Sequence, residues 1–308
     1  MSRFPRFYSV AVVVVGLFFS ACNTFEGFYE EGGSDDPAVL IQDAKFAMQA
    51  GAPEDAIAYL EKAIEQAPAE SPIETRAQMQ LATALLQSSE VGVLTLEEMA
   101  RDLSDQFEAQ GGAVAFKGAS SAGFCSFPSV HTDTVRINLR DIEGYDEIHR
   151  SADVLARVQR LVNDVLDFDA AHPGPTYDID AHIDSLRNQE GYTDEEIAET
   201  LLNGSVAYMG ASYDILADQS ADVEWYAVTP PGSADAYLGY CAPSEARVEE
   251  VKAEAACQMG NIGFSVDLLR ARAKLNGFAG TLAEDVVELA DEAYERLSQE
   301  LDASACSL

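Results

Sequence analysis

Residues 36–68 read DPAVLIQDAKFAMQAGAPEDAIAYLEKAIEQAP. Asp36 and Pro37 suit a helix start: a short polar side chain caps orphan amides, and proline needs no N–H in the first turn. Val39, Leu40, Ala44, Ala47 and Met48 then recur at helical spacing, and Gly51 closes the helix. Pro53-Glu54-Asp55 opens another at once, with acids at the positive end of the helix dipole. Ala56, Leu60, Ala63, Ile64 and Ala67 form its apolar stripe, and Pro68 ends it. So short a turn predicts an antiparallel helical hairpin.

The stretch from about 37 to 70 resembles one tetratricopeptide repeat. Ala44, Gly51, Ala56, Leu60, Ala63 and Pro68 stand where that repeat has its small residue, turn glycine, alanine, large apolar residue, alanine and terminal proline. Small residues let two helices approach, and the large one fills the groove between them. Leu40, Asp43 and Ala47 depart from the common tryptophan, leucine and tyrosine. A weaker second copy is expected from Ile73 to Ser88, matching at Leu81, Ala82 and Leu85, with Leu94 to Phe107 as its partner helix. The resemblance implies stacked helical hairpins. Such stacks need about three units to bury a continuous core, so later segments must supply helical neighbours.

Helical patterns continue after a glycine- and serine-rich break at Gly111 to Thr132. They are expected at Asp146 to Ala171, Asp178 to Gln189, Thr193 to Ala217, Pro243 to Met259, Ile262 to Asn276 and Thr281 to Leu301. Thr193-x-x-Glu196 is a capping box. A second irregular region spans Gln219 to Tyr240 around Pro230-Pro231-Gly232. The expected class is all-α: antiparallel hairpins in a tetratricopeptide-like α-solenoid or helical-repeat bundle, with two irregular loops that leave room for a short hairpin. The expected division is a leader at 1–21, a tether at 22–35, helical hairpins at 36–110, an irregular connection at 111–145 and a helical continuation at 146–308.

Before the hairpin, Arg3 and Arg6 precede the apolar run Phe7 to Phe18, followed by Phe19-Ser20-Ala21-Cys22. A positive start, a short apolar core and small residues before a cut describe an export signal. The closing FSAC resembles the lipobox of bacterial lipoproteins, with Phe19 in place of the usual leucine. That resemblance implies acylation at Cys22 and a mature chain starting there. An uncleaved anchor or plain secretion are the alternatives. The apolar stretch between Arg6 and Asn23 is short of the roughly 20 residues a spanning helix needs. Asn23 after the cysteine resembles an outer-membrane destination in enterobacterial relatives of this signal, facing the periplasm.

The formal net charge is −34, and removing Arg3 and Arg6 with the leader takes it to −36. A chain this acidic is not a nucleic-acid binder, since phosphate contacts rely on clustered Lys and Arg. It is also repelled by anionic lipid, so attachment must come from the N-terminal lipid. Only five lysines occur, at 45, 62, 117, 252 and 274. Dispersed acid with little lysine resembles proteins of salt-loving bacteria; cation binding is the competing reading. Cys125, Cys241, Cys257 and Cys306 are disulfide candidates in an exported chain, with three pairings open.

Signatures of catalysis are absent: the chain has no GxSxG, HExxH, GxGxxG after a strand or EF-hand loop. GAVAFKG at 112–118 lacks the glycine and Ser/Thr of a phosphate loop. Asp178, Asp180, His182 and Asp184 read either as a divalent-ion site or as a solvated helix start. Trp225, Tyr226, Tyr237 and Tyr240 form a candidate recognition loop, with packing onto the helices as the alternative. Phe124, Cys125, Phe127 and Pro128 allow the same two readings. His131, His149 and His172 read as surface or capping residues, and the sequon Asn203-Gly204-Ser205 as accidental. No enzyme, metal or cofactor is expected. The expected function is a lipid-anchored envelope scaffold that holds a protein partner. A small-molecule-binding component of an envelope transport system is the alternative.

Overall fold

The computed structural model describes residues 33–89, 91–108, 123–127, 133–168, 178–218, 221–229, 232 and 237–276. Of these, 74% are helical, and a small antiparallel sheet makes up the second element of the architecture.

Helix α1 (Pro37–Gln49) starts on Asp36, whose carboxylate accepts the Ala38 N–H at 2.9 Å. Gly51, at φ +76°, turns the chain into α2 (Pro53–Gln66). Ala67 before Pro68 is extended, as a residue preceding proline must be, and the helix stops there. Leu40, Ala44, Ala56, Leu60 and Ala63 are all fully buried. The hairpin is therefore held by small residues that admit close approach and two leucines that fill the space.

Helix α3 (Pro72–Ser89) packs on α2. The expected partner of α3 was the next helix, α4 (Val93–Glu108), but α4 rests on a later helix instead. The place beside α3 is taken by α6 (Ala152–Leu166), whose Leu155, Val158, Val162, Val165 and Leu166 are buried. The Ser151 hydroxyl, donating to the Ser89 carbonyl, ties the end of α3 to the start of α6. The expected helix from 146 to 171 is thus two pieces: α5 (Tyr145–Arg150) and α6 meet at a turn on Ser151, and α6 ends at Asp167 in the left-handed conformation.

The short α7 (Ile179–Ser185) runs into a π turn, Leu186–Glu190, before the central helix α8 (Asp194–Asp218). The capping box forms as read: the Glu196 N–H donates to Thr193 Oγ1, and the Thr193 N–H donates to Glu196 Oε2. Beyond its exposed first turn, helix α8 is buried nearly all round from Ile197 to Ala217, packed by α3, α6 and a final helix, α9 (Glu245–Asn276). Its Gly204 is required by that crowding: a Cβ there would lie 2.8 Å from Val162 Cγ1 and 3.0 Å from Leu268 Cδ1. The two helices expected at 243–259 and 262–276 are one, because packing along α8 holds the backbone straight through Gly260-Asn261. The helix expected at 281–301 lies outside the described residues.

Both irregular regions contain strands, which corrects the all-α expectation in its finer form. β1 (Phe124–Cys125), β2 (Asp133–Ile137), β3 (Glu224–Thr229) and β4 (Tyr237–Ala242) form one antiparallel sheet in the order β1-β4-β3-β2. Trp225 pairs with Tyr240 and Ala227 with Leu238, and this face joins the main core. Tyr226 opposite Gly239, with Val228 and Cys241, forms the other face. One contiguous core runs from Leu40 on α1 to Ala271 on α9, across the expected boundaries at 110 and 146.

Candidate functional site

The order of packing, α1 on α2, α2 on α3, α3 on α6, then α8 and α9, places α1 at one end of that series. Its inward residues Leu40, Ile41, Ala44 and Ala47 are spent on the hairpin, so its outward stripe follows from helical spacing: Ala38, Gln42, Phe46 and Gln49. None of these four is charged, and Phe46 is 52% exposed. The outward residues of neighbouring α2 include Glu54, Asp55, Glu61 and Glu65. On a chain of net charge −34, an uncharged stripe carrying an exposed phenylalanine is a local exception. Its chemistry suits apolar and amide contact with another helix.

The second constellation joins α5 to α8. His149 Nδ1 lies 2.7 Å from Asp214 Oδ1, with the carboxylate buried and the imidazole half exposed. The ring stacks on Tyr145 at 5.5 Å between centroids. Burial, together with the Asp214 charge, raises the Tyr145 phenol, and Arg140 opposes that rise. Tyr213 packs edge-on to Tyr145, and its hydroxyl donates to the Leu139 carbonyl at 2.7 Å. Burial pushes its phenol up, and Asp102 and Tyr145 add to the shift. This pair fixes the imidazole through Nδ1 and leaves half of the ring's surface exposed. Among the described residues no hydrogen bond links it to a serine, threonine or cysteine. The sequence separation of 65 between the partners gives no local motif. The one sequence signal is that Asp214 is the lone charged residue between Glu199 and Asp218 of α8.

The other residues singled out by sequence fall as follows. Cys22, His131, His172, Pro128 and the 112–118 loop lie outside the described residues. Ala44, Ala56, Leu60 and Ala63 meet inside the hairpin, and Pro68 is exposed at its end. Cys125 and Cys241 form a disulfide between paired strand residues. Cys257 is disulfide-bonded too, and Cys306 lies outside the described residues. Trp225, Tyr226 and Tyr240 are strand residues at 4%, 8% and 2% exposure, so they pack rather than recognise. Tyr237 opposite Val228 starts β4. Phe127 is buried beside Tyr226, while Phe124 stays 47% exposed.

The acids at the start of α7 disperse. Asp178 caps the Ala181 N–H, Asp180 pairs with Lys274 at 2.9 Å, and Asp184 lies 4.0 Å from Arg187. Among the described residues no group of three or more His, Cys, Asp and Glu is placed to hold a metal. Asn203 of the sequon is buried and donates to Thr83 Oγ1 at 2.8 Å. Comparison with known proteins finds no family model, no curated protein and no solved structure that matches this chain.

Proposed function

We propose that this protein is a lipid-anchored cell-envelope scaffold that holds a protein partner against its first helix. The observation that carries the reading is the uncharged stripe of Ala38, Gln42, Phe46 and Gln49 on α1, the helix at one end of the packing series. In helical stacks the terminal helix needs a polar outer face to stay soluble alone. A stripe that instead exposes phenylalanine, beside an acidic neighbour, is suited to being covered. The partner is accordingly a protein presenting an apolar helix face, with basic residues at its rim to meet Glu54, Asp55 and Glu65. Anchorage rests on the lipobox-like Phe19-Ser20-Ala21-Cys22, and the reading of an outer-membrane, periplasm-facing destination rests on Asn23 after it. Among the described residues no helix is long and apolar enough to cross a membrane, and acylation at Cys22 would supply the hold.

Two arms of one cellular experiment test this. A photocrosslinker at Gln42 or Gln49 should yield one discrete adduct, while the same group at the exposed Glu249 on α9 yields little. Cys22→Ser should release the protein from the membrane fraction and abolish that adduct. Equal adducts at all three positions would overturn the docking face. Unchanged membrane fractionation of Cys22→Ser would overturn the anchor.

A further inference from the structure

Cys257, partly exposed in the first half of α9, is disulfide-bonded. Cys125 and Cys241 are spent on each other. The chain has five cysteines, so the partner of Cys257 is Cys22 or Cys306, both outside the described residues. One sulfur cannot serve twice: a disulfide forms from a thiolate, and a Cys22 Sγ held in a thioether to lipid has none to offer. Chain length points the same way without the anchor. From Cys257 to its end at Asn276, α9 rises about 28 Å at 1.5 Å per residue. Gly277 and Gly280 mark a short connection, and the helix expected at Thr281 to Leu301 rises about 30 Å, enough for an antiparallel return. In that segment Leu282, Val286, Leu289, Ala293 and Leu297 recur at helical spacing, an apolar stripe that calls for a neighbouring helix. The residues after Leu301 add up to about 16 Å of reach to Cys306. Along the chain Cys306 is about five times nearer to Cys257 than Cys22 is, so loop closure favours it roughly 10-fold.

We infer that Cys257 is bonded to Cys306, which fastens the C-terminal segment 277–308 to α9 and leaves Cys22 as the one sulfur without a protein partner. The choice of Cys306 over Cys22 rests partly on the anchor reading and partly, independently of it, on chain length. Forming the bond removes two protons and two electrons from the thiols, and an oxidised dithiol carrier accepts them. One protein thiolate attacks the carrier's disulfide and forms a mixed disulfide; the other displaces the carrier, which departs as a dithiol. The helix series that begins at α1 ends at α9, so the bond holds the chain's own C-terminal segment at that end and leaves α1 for the partner. Glu284, Glu288, Asp291 and Glu295, spaced on the side of the expected helix away from its apolar stripe, supply the polar outer face that a terminal helix needs.

The test is tryptic mapping, without reductant, of the full protein extracted from membranes, since each cysteine falls on its own tryptic peptide. The 253–270 peptide should be joined to 297–308, the 118–136 peptide to 188–247, and the peptide ending at Lys45 should carry the mass of a lipid at Cys22. A free Cys257, or a 253–270 peptide joined to the Cys22 peptide or to a second protein, overturns the inference. A free Cys257 beside a lipidated Cys22 overturns the inference alone, whereas an intact Cys257–Cys306 bond beside an unlipidated Cys22 overturns the anchor alone. Cys306→Ser supplies a second measurement: it should turn Cys257 from a residue that resists alkylation into one alkylated in every chain, with the Cys125–Cys241 bond and membrane fractionation unchanged. A Cys257 that still resists alkylation in that variant, after unfolding in denaturant without reductant, would show another partner and overturn the pairing.

Discussion

The α1–α2 hairpin and the four-stranded sheet are both minor parts of one core, yet they are built in opposite ways. The hairpin joins residues within 37–66 of the chain, and its contacts are local. In the sheet, β2 at 133–137 pairs with β3 at 224–229, across nearly ninety residues. Local contacts close cheaply and form early, while distant strands must wait until the chain between them is arranged. Here that chain includes α6 and α8, so the pairing of β2 with β3 depends on how those helices are arranged. The hairpin shows what a short stretch can specify alone, and the sheet shows what needs the whole fold.

The sharpest way to break this comparison is to remove one large side chain from each region. Trp225→Ala should cost about 4 kcal/mol, because the indole is 4% exposed and packs on Tyr240 inside the main core. Leu60→Ala should cost about 3 kcal/mol, with the loss centred on α1 and α2. Urea unfolding followed by far-UV circular dichroism measures both. A Trp225→Ala protein whose helical transition stays where it was would mean that the sheet is an appendage.

Salt should sharpen the contrast by a smaller amount. The net charge of −34 and the row of Glu54, Asp55, Glu61 and Glu65 on α2 oppose compaction in dilute buffer. Screening falls within a few ångströms at molar salt, so the melting temperature should rise steeply with NaCl, and exchange should slow more in α2 than in β3. A flat melting temperature between low and molar salt would remove the environmental reading of the acidity.

The smallest effect concerns the tie between α3 and α8. Burial alone would raise the Glu196 carboxyl. The Thr193 N–H and hydroxyl, with Arg76 at 3.0 Å and the Lys45 charge, outweigh it and hold the group below the usual carboxylate range. A depressed folded pKa gives stability that is present above the unfolded value and lost as pH falls through the folded one. Glu196→Gln keeps a cap but loses the charge, so it should cost about 0.5 kcal/mol at neutral pH. That gap should close on acidification below about pH 4. A gap constant from neutral pH down to pH 3 would assign the contact to packing alone.

Legibility in the sequence follows the same divide. Asp36, Gly51 and the alanines of the hairpin could be read because each acts on neighbours within a turn or two. The Thr193–Glu196 box was equally plain. Strands β3 and β4 were hidden because both of their faces are covered, which erases the alternation that marks a half-buried strand. β2, with Thr134 and Arg136 alternating with Val135 and Ile137, carries that alternation but is only five residues long. The break at Ser151 could not be read from periodicity, since α5 and α6 continue one apolar pattern and the turn is set by contact with Ser89. Of the candidate sites, the stripe on α1 was implicit in the helical spacing, whereas the His149–Asp214 pair depends on how α5 crosses α8.

The buried Asn203 has a practical consequence for anyone producing this protein. Hosts that attach oligosaccharide to Asn-x-Ser during secretion do so on the nascent chain, before α8 has neighbours. The asparagine amide they would modify belongs against Thr83, one residue from a glycine with no room for a single methyl group. A sugar installed there would exclude α8 from the core, so a yeast or mammalian secretory route would discard the chain that a bacterial one folds.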